Sequence, residues 1–159
     1  MAKLALLLAL AVIAVGCGSS AAKTSGPPAP GPGHVVYQGT EWAVVLDRGR
    51  AAAQHLVGNA WQRAQQGTVK IDVLGPKPGS KGNPATPQVA AALSAGDDLA
   101  ESALWVDGVE LLEKGGGLTP TKGTIYGAPA APLAKGKHTA IAYARTGTNA
   151  LAVAWTFSV

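Results

Sequence analysis

Short apolar runs separated by turn residues make up the chain from residue 34 onward, and this pattern is typical of β-strands. The segments HVVYQG and EWAVVLD are predicted as the first two strands. Asp47 to Arg50 then supplies a turn, the segment AAAQHLV follows, and a second turn at Gly58-Asn59 precedes AWQ. Residues 34–67 are therefore predicted to form a short β-meander.

The segment Arg50 to Val57 has a competing interpretation. Its Ala, Gln and Leu residues favour a helix. However, Gly49 and Gly58 flank the segment, and its eight residues would make a poor isolated helix because helix nucleation is costly. The meander is the preferred prediction, and a short helix is the alternative.

Residues 68–159 continue the strand pattern. Val69, Ile71 and Val73 alternate on one face of the first segment, as in a half-buried strand. Asp107-Gly108 lies between two apolar runs and is a strong hairpin signal. The strand candidates are TVKIDVLGP, TPQVAAALSA, SALWVDGVEL, GTIYGAP, KHTAIAYA and LAVAWTFSV. Their spacing is roughly that of a β-sandwich, whereas the Gly-rich segment EKGGGLTPTKGT is predicted as a turn.

The last two strand candidates predict which side chains are buried. Trp155, Phe157 and Val159 share one face by period two and are expected to form much of the sandwich core. The matching inward positions on the preceding strand are Ala140, Ala142 and Ala144. Ile141 and Tyr143 then lie on the opposite face. Either the small alanines make room for Trp155, or another element covers Ile141 and Tyr143, for which the meander is the nearest candidate.

The N-terminal apolar run, Leu4 to Val15, follows Lys3 and has 12 residues. A bilayer-spanning helix needs about 20 residues, whereas the apolar part of a signal peptide has about 7 to 15. Residues 1–16 are therefore predicted to be the helix of an export signal.

The residues that end this run, Ala14-Val15-Gly16-Cys17, resemble the lipobox of bacterial lipoproteins. Ala14 stands where that motif usually has Leu. The resemblance implies cleavage before Cys17, a diacylglyceryl group on its sulfur and acylation of the new amino terminus. Two or more acyl chains hold a protein firmly to a membrane. We therefore expect an exported protein, anchored through Cys17 to the extracytoplasmic face of the cell membrane.

Residues 17–33 lack apolar periodicity and concentrate Gly, Ser, Ala and Pro. This composition cannot bury enough apolar surface to offset chain entropy and is typical of disorder. The segment is predicted to be a flexible linker between the lipid anchor and the folded part.

Composition and charge exclude several classes of site. Cys17 is the single cysteine, so the folded part has no thiol for a disulfide, a nucleophile or a metal. The net charge of +4 is too small and too scattered to predict a nucleic-acid partner. His34, His55 and His138 lie in separate segments, and a zinc site needs about four converging ligands. No metal or cofactor is predicted.

Two further candidates have simpler structural explanations. Asp97, Asp98 and Glu101 could supply some of the roughly 6 to 8 oxygens that Ca²⁺ requires, but a solvated acidic loop is the preferred interpretation. The segment from Gly79 to Gly82 has Ser80 at its second position, without the Gly-x-Ser-x-Gly spacing of a nucleophile elbow. Neither segment predicts catalysis.

Three segments together resemble bacterial Ig-like modules: LGPKPGSKGNPATPQVAAALSAGDDLAESALWVDGVEL, GAPAAPLAKGKHTAIAYA and NALAVAWTFSV. Those modules have a Pro-rich lead into the first strand, a VDG hairpin, a PLxxGxHT approach to the penultimate strand and a closing WxFxV. One departure is RTGTN, Arg145 to Asn149, where the modules usually have Asp-x-x-Gly-Asn. For residues 68–159 the resemblance implies an all-β, Ig-like antiparallel β-sandwich, preceded here by the meander.

These observations favour a non-enzymatic, lipid-anchored Ig-like module of the cell envelope, for binding, adhesion or structural support. Its predicted binding surface consists of Trp42, Trp61, Ile141 and Tyr143, and its partner would be an envelope protein or a polysaccharide. The alternative is an exported carbohydrate-binding or small enzymatic domain that uses Trp42, Trp61 and the acidic loop, since tryptophan can stack on sugars or anchor a partner. Packing against the sandwich is the competing explanation for both tryptophans.

Overall fold

The predicted meander forms a four-stranded antiparallel sheet, which we call the meander sheet. Its strands, β1 (His34–Gln38), β2 (Trp42–Asp47), β3 (Arg50–Val57) and β4 (Ala60–Arg63), pair in chain order. The computed structural model describes residues 28–111, 114–119 (backbone only) and 121–159. The predicted signal peptide, Cys17 and linker residues 18–27 lie outside the described residues.

β3 is a strand throughout, so the alternative prediction of a helix over these residues is wrong. Arg48 (φ 47°) and Gly49 (φ 78°) form the turn between β2 and β3, with the two positive φ angles that suit a two-residue hairpin. β3 then pairs with β2 on one side and β4 on the other. Pairing on both sides outweighs the helix propensities of these residues, which differ by at most about 0.7 kcal/mol per residue among ordinary residue types.

Two further four-stranded sheets form the sandwich. The outer sheet has the order β5 (Lys70–Gly75), β6 (Val89–Ser94), β10 (Lys122–Gly127), β9 (Lys114–Thr119). The central sheet has the order β12 (Ala150–Ser158), β11 (Lys137–Arg145), β7 (Glu101–Val106), β8 (Val109–Glu110). All neighbours are antiparallel. This is the strand order of an immunoglobulin-type sandwich, in which strands A, B, E and D face C, F and G. The predicted all-β sandwich preceded by a meander is confirmed.

β9 lies in the Gly-rich segment that was predicted as a turn, and that prediction is wrong. It pairs antiparallel with β10, so that Gly115 is opposite Ile125 and Gly116 is opposite Thr124. Glycine is depleted in strands, so the local residue preferences favour a turn. β9 forms instead because β10 offers it a strand edge for pairing, and this edge arises only when the sheet assembles.

The sandwich core lies between the outer and central sheets. Its fully buried members include Val69, Val89, Ala91, Leu104, Ile125, Ala140, Ala142, Ala144 and Phe157. Trp155 points into this core and is 5% exposed. Ala140 lies directly opposite Trp155 in the register of β11 and β12, so a small side chain makes room for the indole, as one of the two sequence interpretations required.

A second core lies between the central sheet and the meander sheet. Its buried residues are Trp42, Val44, Ala53, Ala103, Trp105, Ile141, Tyr143, Ala150 and Ala152. Ile141 and Tyr143, which alternate with the inward alanines of β11, are thus covered by the meander sheet. The central sheet is buried on both faces, and the described part of the chain forms three stacked β layers.

A threonine holds the turn between β11 and β12, in the segment RTGTN. The Thr146 side chain is fully buried, and its hydroxyl accepts hydrogen bonds from the backbone N–H groups of Asn149 at 3.1 Å and Thr148 at 3.4 Å. The Thr146 N–H donates to the Asn149 carbonyl at 2.8 Å. A threonine therefore caps the turn, since Ser and Thr hydroxyls form such local bonds as Asp does.

The last residues of the predicted linker are attached to the meander sheet. The Gln54 side-chain amide donates to the Gly31 carbonyl at 2.5 Å, and the Trp61 indole N–H donates to the Pro28 carbonyl at 2.5 Å. Pro30 is buried. The last residues of the predicted linker, 28–33, thus contact the meander sheet through a buried proline and two side-chain hydrogen bonds.

Candidate functional site

Three of the four residues of the predicted binding surface are buried. Trp42, Ile141 and Tyr143 are at most 5% exposed because the meander sheet and the central sheet enclose them. Trp61 is half-buried on β4, and its indole N–H bonds to the Pro28 carbonyl. The structure therefore brings three of the four residues together, but in the interior, where packing is their role.

An ion pair lies beside Trp42 at the junction of the two sheets. The Arg145 Nε donates to Glu101 Oε2 at 2.7 Å, and the Tyr37 hydroxyl donates to Glu101 Oε1 at 2.9 Å. The Arg145 guanidinium lies 5.5 Å from the centre of the Trp42 ring, within the range of a cation–π interaction. We call Tyr37, Trp42, Glu101 and Arg145 the junction cluster. Glu101 was expected in a solvated acidic loop, but it begins β7 and is occupied by two partners.

The junction cluster is electrostatically satisfied. Burial, and then the hydrogen bond to Glu101, raises the pKa of the Tyr37 hydroxyl, so this group stays protonated at neutral pH. Burial likewise raises the pKa of Tyr143. A general acid or base works best with a pKa near the operating pH. The hydrogen bonds of Glu101 with Tyr37 and Arg145 instead tie β1 of the meander sheet to β7 and β11 of the central sheet.

Asp107 and His138 form a second polar pair at the β7–β8 hairpin. His138 Nδ1 lies 2.7 Å from Asp107 Oδ2, and Nε2 lies 2.8 Å from the Ala134 carbonyl oxygen. The other Asp107 oxygen accepts the Thr139 N–H at 2.9 Å. Because both ring nitrogens face acceptors, the imidazolium form satisfies both contacts. The hydrogen bond to Asp107, and secondly that to Ala134, raises the pKa of His138.

The pair therefore stabilises the hairpin, and both ring nitrogens of His138 have partners within the protein. Asp97 and Asp98 are exposed. Within the described residues, no three His, Cys, Asp or Glu side chains converge on a point where a metal ion could bind.

A cleft opens where the meander sheet and the central sheet meet, and we call it the β3–β12 cleft. β4 ends at Arg63 and covers only the second half of β3, so residues 51–53 of β3 form one wall, and residues 150–152 of β12 form the other. Residues 64 and 65 bridge the walls at one end, where the Ala64 N–H donates to the Ala53 carbonyl at 2.9 Å and the Ala150 N–H to the Gln65 carbonyl at 2.9 Å. The cleft has a volume of about 330 Å³, at the small end of ligand cavities.

The walls of the cleft are strand edges without a neighbouring strand among the described residues. Ala51 and, just beyond the cleft lining, Ala154 are half-buried at these edges, whereas Ala152 is 6% exposed. Alternate residues of an antiparallel strand direct both backbone groups to the same side. The Ala150 N–H, the Thr156 carbonyl and both Ser158 groups bond away from β11, so Ala152 and Ala154 face the same side. By the same argument Ala51 faces the cleft, because the Ala53 carbonyl bonds to Ala64. No described residue pairs with the outward backbone groups of Ala51, Ala152 or Ala154.

The described lining of the cleft carries one charged side chain. Arg63 is the charged side chain among its lining residues, Gln65 and Gln66 add amides, and no described residue of the lining is a carboxylate. The remaining lining is small and apolar: Ala51, Ala52, Ala53, Ala64, Ala150, Leu151 and Ala152. The cleft therefore offers a ligand backbone hydrogen-bond donors and acceptors, one guanidinium group, and space for side chains next to the alanines.

The β3–β12 cleft was not predicted from the sequence. The sequence of β12 does carry one local signal. Positions 150, 152 and 154 are alanines that alternate with larger residues, so one face of the strand has only small side chains. The cleft itself depends on the early end of β4 and on the stacking of two sheets.

Comparisons with protein-family models and with curated proteins found no match for this chain. Among the described residues, none forms a helix with the length and hydropathy that a membrane crossing requires.

Proposed function

We propose that the protein is an exported, lipid-anchored, non-enzymatic binding module of the cell envelope. The observation that carries the proposal is the β3–β12 cleft, where two strand edges without a backbone partner among the described residues meet between two firmly packed sheets. Two sets of ionisable side chains support it as well, because they have structural partners. Glu101 binds Tyr37 and Arg145 and so links the two sheets, whereas Asp107 binds His138 and stabilises the β7–β8 hairpin.

The attachment of the linker supports a tethered role. Pro28 and Gly31 are bonded to the meander sheet, so the tether joins the body at this layer. Residues 17–27 lie between the lipid-bearing Cys17 and this attachment. An extended chain of this length reaches about 34 Å at about 3.1 Å per residue. The body would thus stand clear of the lipid headgroups, with the cleft accessible at its side.

Substitution of Cys17 tests the anchoring. Cys17→Ser removes the sulfur that would carry the diacylglyceryl group, and Ser20→Ala is a matched control beyond the lipobox. Both variants are expressed in a bacterial host with an alkyne-labelled fatty acid. We expect the wild type and Ser20→Ala to carry the label and to partition into the detergent phase of a cell extract. Cys17→Ser should be unlabelled and should leave the detergent phase.

Equal labelling and equal detergent partitioning of Cys17→Ser would contradict lipid anchoring. Circular dichroism of the purified variants should show the same β-sheet spectrum, because Cys17 lies eleven residues before the first attachment, at Pro28.

A further inference from the structure

We infer that the β3–β12 cleft binds a short, extended, acidic peptide by strand addition to β12. The inference rests on the proposed function as a binding module and names the chemistry of its partner. An extended peptide that pairs with an exposed strand gains affinity through main-chain hydrogen bonds. Ala152 and Ala154 offer these groups in the alternating pattern that such a strand requires.

The length of the free edge of β12 determines how long the bound peptide can be. The Ala150 N–H bonds to Gln65 at one end, and the Thr156 carbonyl accepts the Gly79 N–H at the other. The stretch between these positions is about 20 Å long at about 3.3 Å per residue. A guest of about five residues fits between the two flanking segments. A second copy of the folded chain fits poorly, because those segments cap both ends of the edge that its strand would need.

The charge and the size of the cleft further restrict which peptide side chains it can accept. Arg63 is unopposed by any carboxylate among the described lining residues, so an acidic side chain or a terminal carboxylate complements the cleft. The volume of about 330 Å³ and the alanine walls suit small side chains alternating with the acidic ones. A peptide such as Ala-Glu-Ala-Glu-Ala has this chemistry.

The full-length protein in a non-ionic detergent is titrated into fluorescein-labelled Ala-Glu-Ala-Glu-Ala, and binding is followed by fluorescence anisotropy. One matched peptide is N-methylated at both Glu residues and another at all three Ala residues. Only one set of N–H groups faces β12 in a paired strand. We expect saturable binding of the parent, loss of binding by one methylated peptide, and retention by the other. A peptide with Lys in place of Glu should bind at least about fivefold more weakly.

Arg63→Glu should weaken binding of the parent peptide about fivefold or more, and Arg63→Lys should weaken it less, since it keeps the charge. Lys135→Glu makes the same change in net charge at an exposed position outside the cleft lining and should leave affinity within about twofold.

Amide hydrogen exchange measured by NMR locates the bound peptide. The amides of Ala152 and Ala154 should exchange at least about tenfold more slowly with saturating peptide, because they gain hydrogen-bond partners. Val153 is an internal control, since its amide faces β11. Binding without protection of Ala152 and Ala154 would overturn strand addition. Protection of these amides in the peptide-free protein, together with dimerisation, would assign the edge to a second copy. Failure of every peptide to bind would overturn the inference, whereas a failure of lipid anchoring would show only in the Cys17 experiment.

Discussion

Truncation of Ile141 measures how firmly the meander sheet is packed on the sandwich. Ile141 is 1% exposed and belongs to the core between the meander sheet and the central sheet. Ile141→Ala removes three carbon groups, each worth about 0.8 kcal/mol when buried. This transfer contribution is about 2.4 kcal/mol, and the cavity left behind adds to it. We expect a loss of about 3 to 4 kcal/mol in the free energy of unfolding, out of the roughly 5 to 15 kcal/mol typical of a domain.

Urea unfolding at constant pH, followed by tryptophan fluorescence and by circular dichroism, measures this loss. The two probes should give one transition, since the fluorescent residues lie in both cores and the layers are expected to unfold together. Val109→Ala is the control, because Val109 is 69% exposed and its truncation should cost less than about 0.5 kcal/mol. A loss below about 0.5 kcal/mol for Ile141→Ala would refute the packing argument, because it would mean that the meander sheet leaves this face to solvent.

Two further predictions concern the other core and the β7–β8 hairpin. Trp155→Ala should cost about 3 to 5 kcal/mol, because its indole is 5% exposed in the sandwich core; an unchanged melting temperature would mean that the register of β12 is wrong. The pKa of His138 is raised in the folded state, mainly by the hydrogen bond to Asp107, so its protonated ring stabilises the fold fully below about pH 6.5 and this contribution is lost as the pH rises through the folded-state pKa. The urea midpoint of the wild type should therefore fall over that range more steeply than the midpoint of His138→Gln, and equal slopes would contradict the assignment.

Periodicity along single strands predicted much of the fold. Side-chain direction in a strand is a local property, so Trp155 and Phe157 could be placed in one core and Ile141 on the opposite face without knowledge of the sheets. The turn residues Asp107-Gly108 located a hairpin for the same reason, because their backbone preference acts within a few residues.

The remaining features depend on which strand edges and faces meet. β9 has little local strand signal and forms against the edge of β10. For Trp42 the sequence left both a binding role and packing open, and its burial depends on the meander sheet lying on the central sheet. Glu101 is separated from Tyr37 by 64 residues and from Arg145 by 44, and nothing local indicates that they converge. The β3–β12 cleft likewise depends on the packing of distant segments, since each of its walls belongs to a different sheet.

The meander sheet has two structural roles that cannot be separated. It covers Ile141 and Tyr143 on the central sheet, and through residues 51–53 of β3 it supplies one wall of the β3–β12 cleft. The cleft therefore exists only while the two sheets are packed together. By linkage, a peptide that binds between β3 and β12 must stabilise the packed state, because it binds that state and not the separated one. Packing of the second core and ligand binding at its margin are thus contributions to one equilibrium, and a substitution that loosens the core, such as Ile141→Ala, also lowers the population of the packed state that binds the peptide.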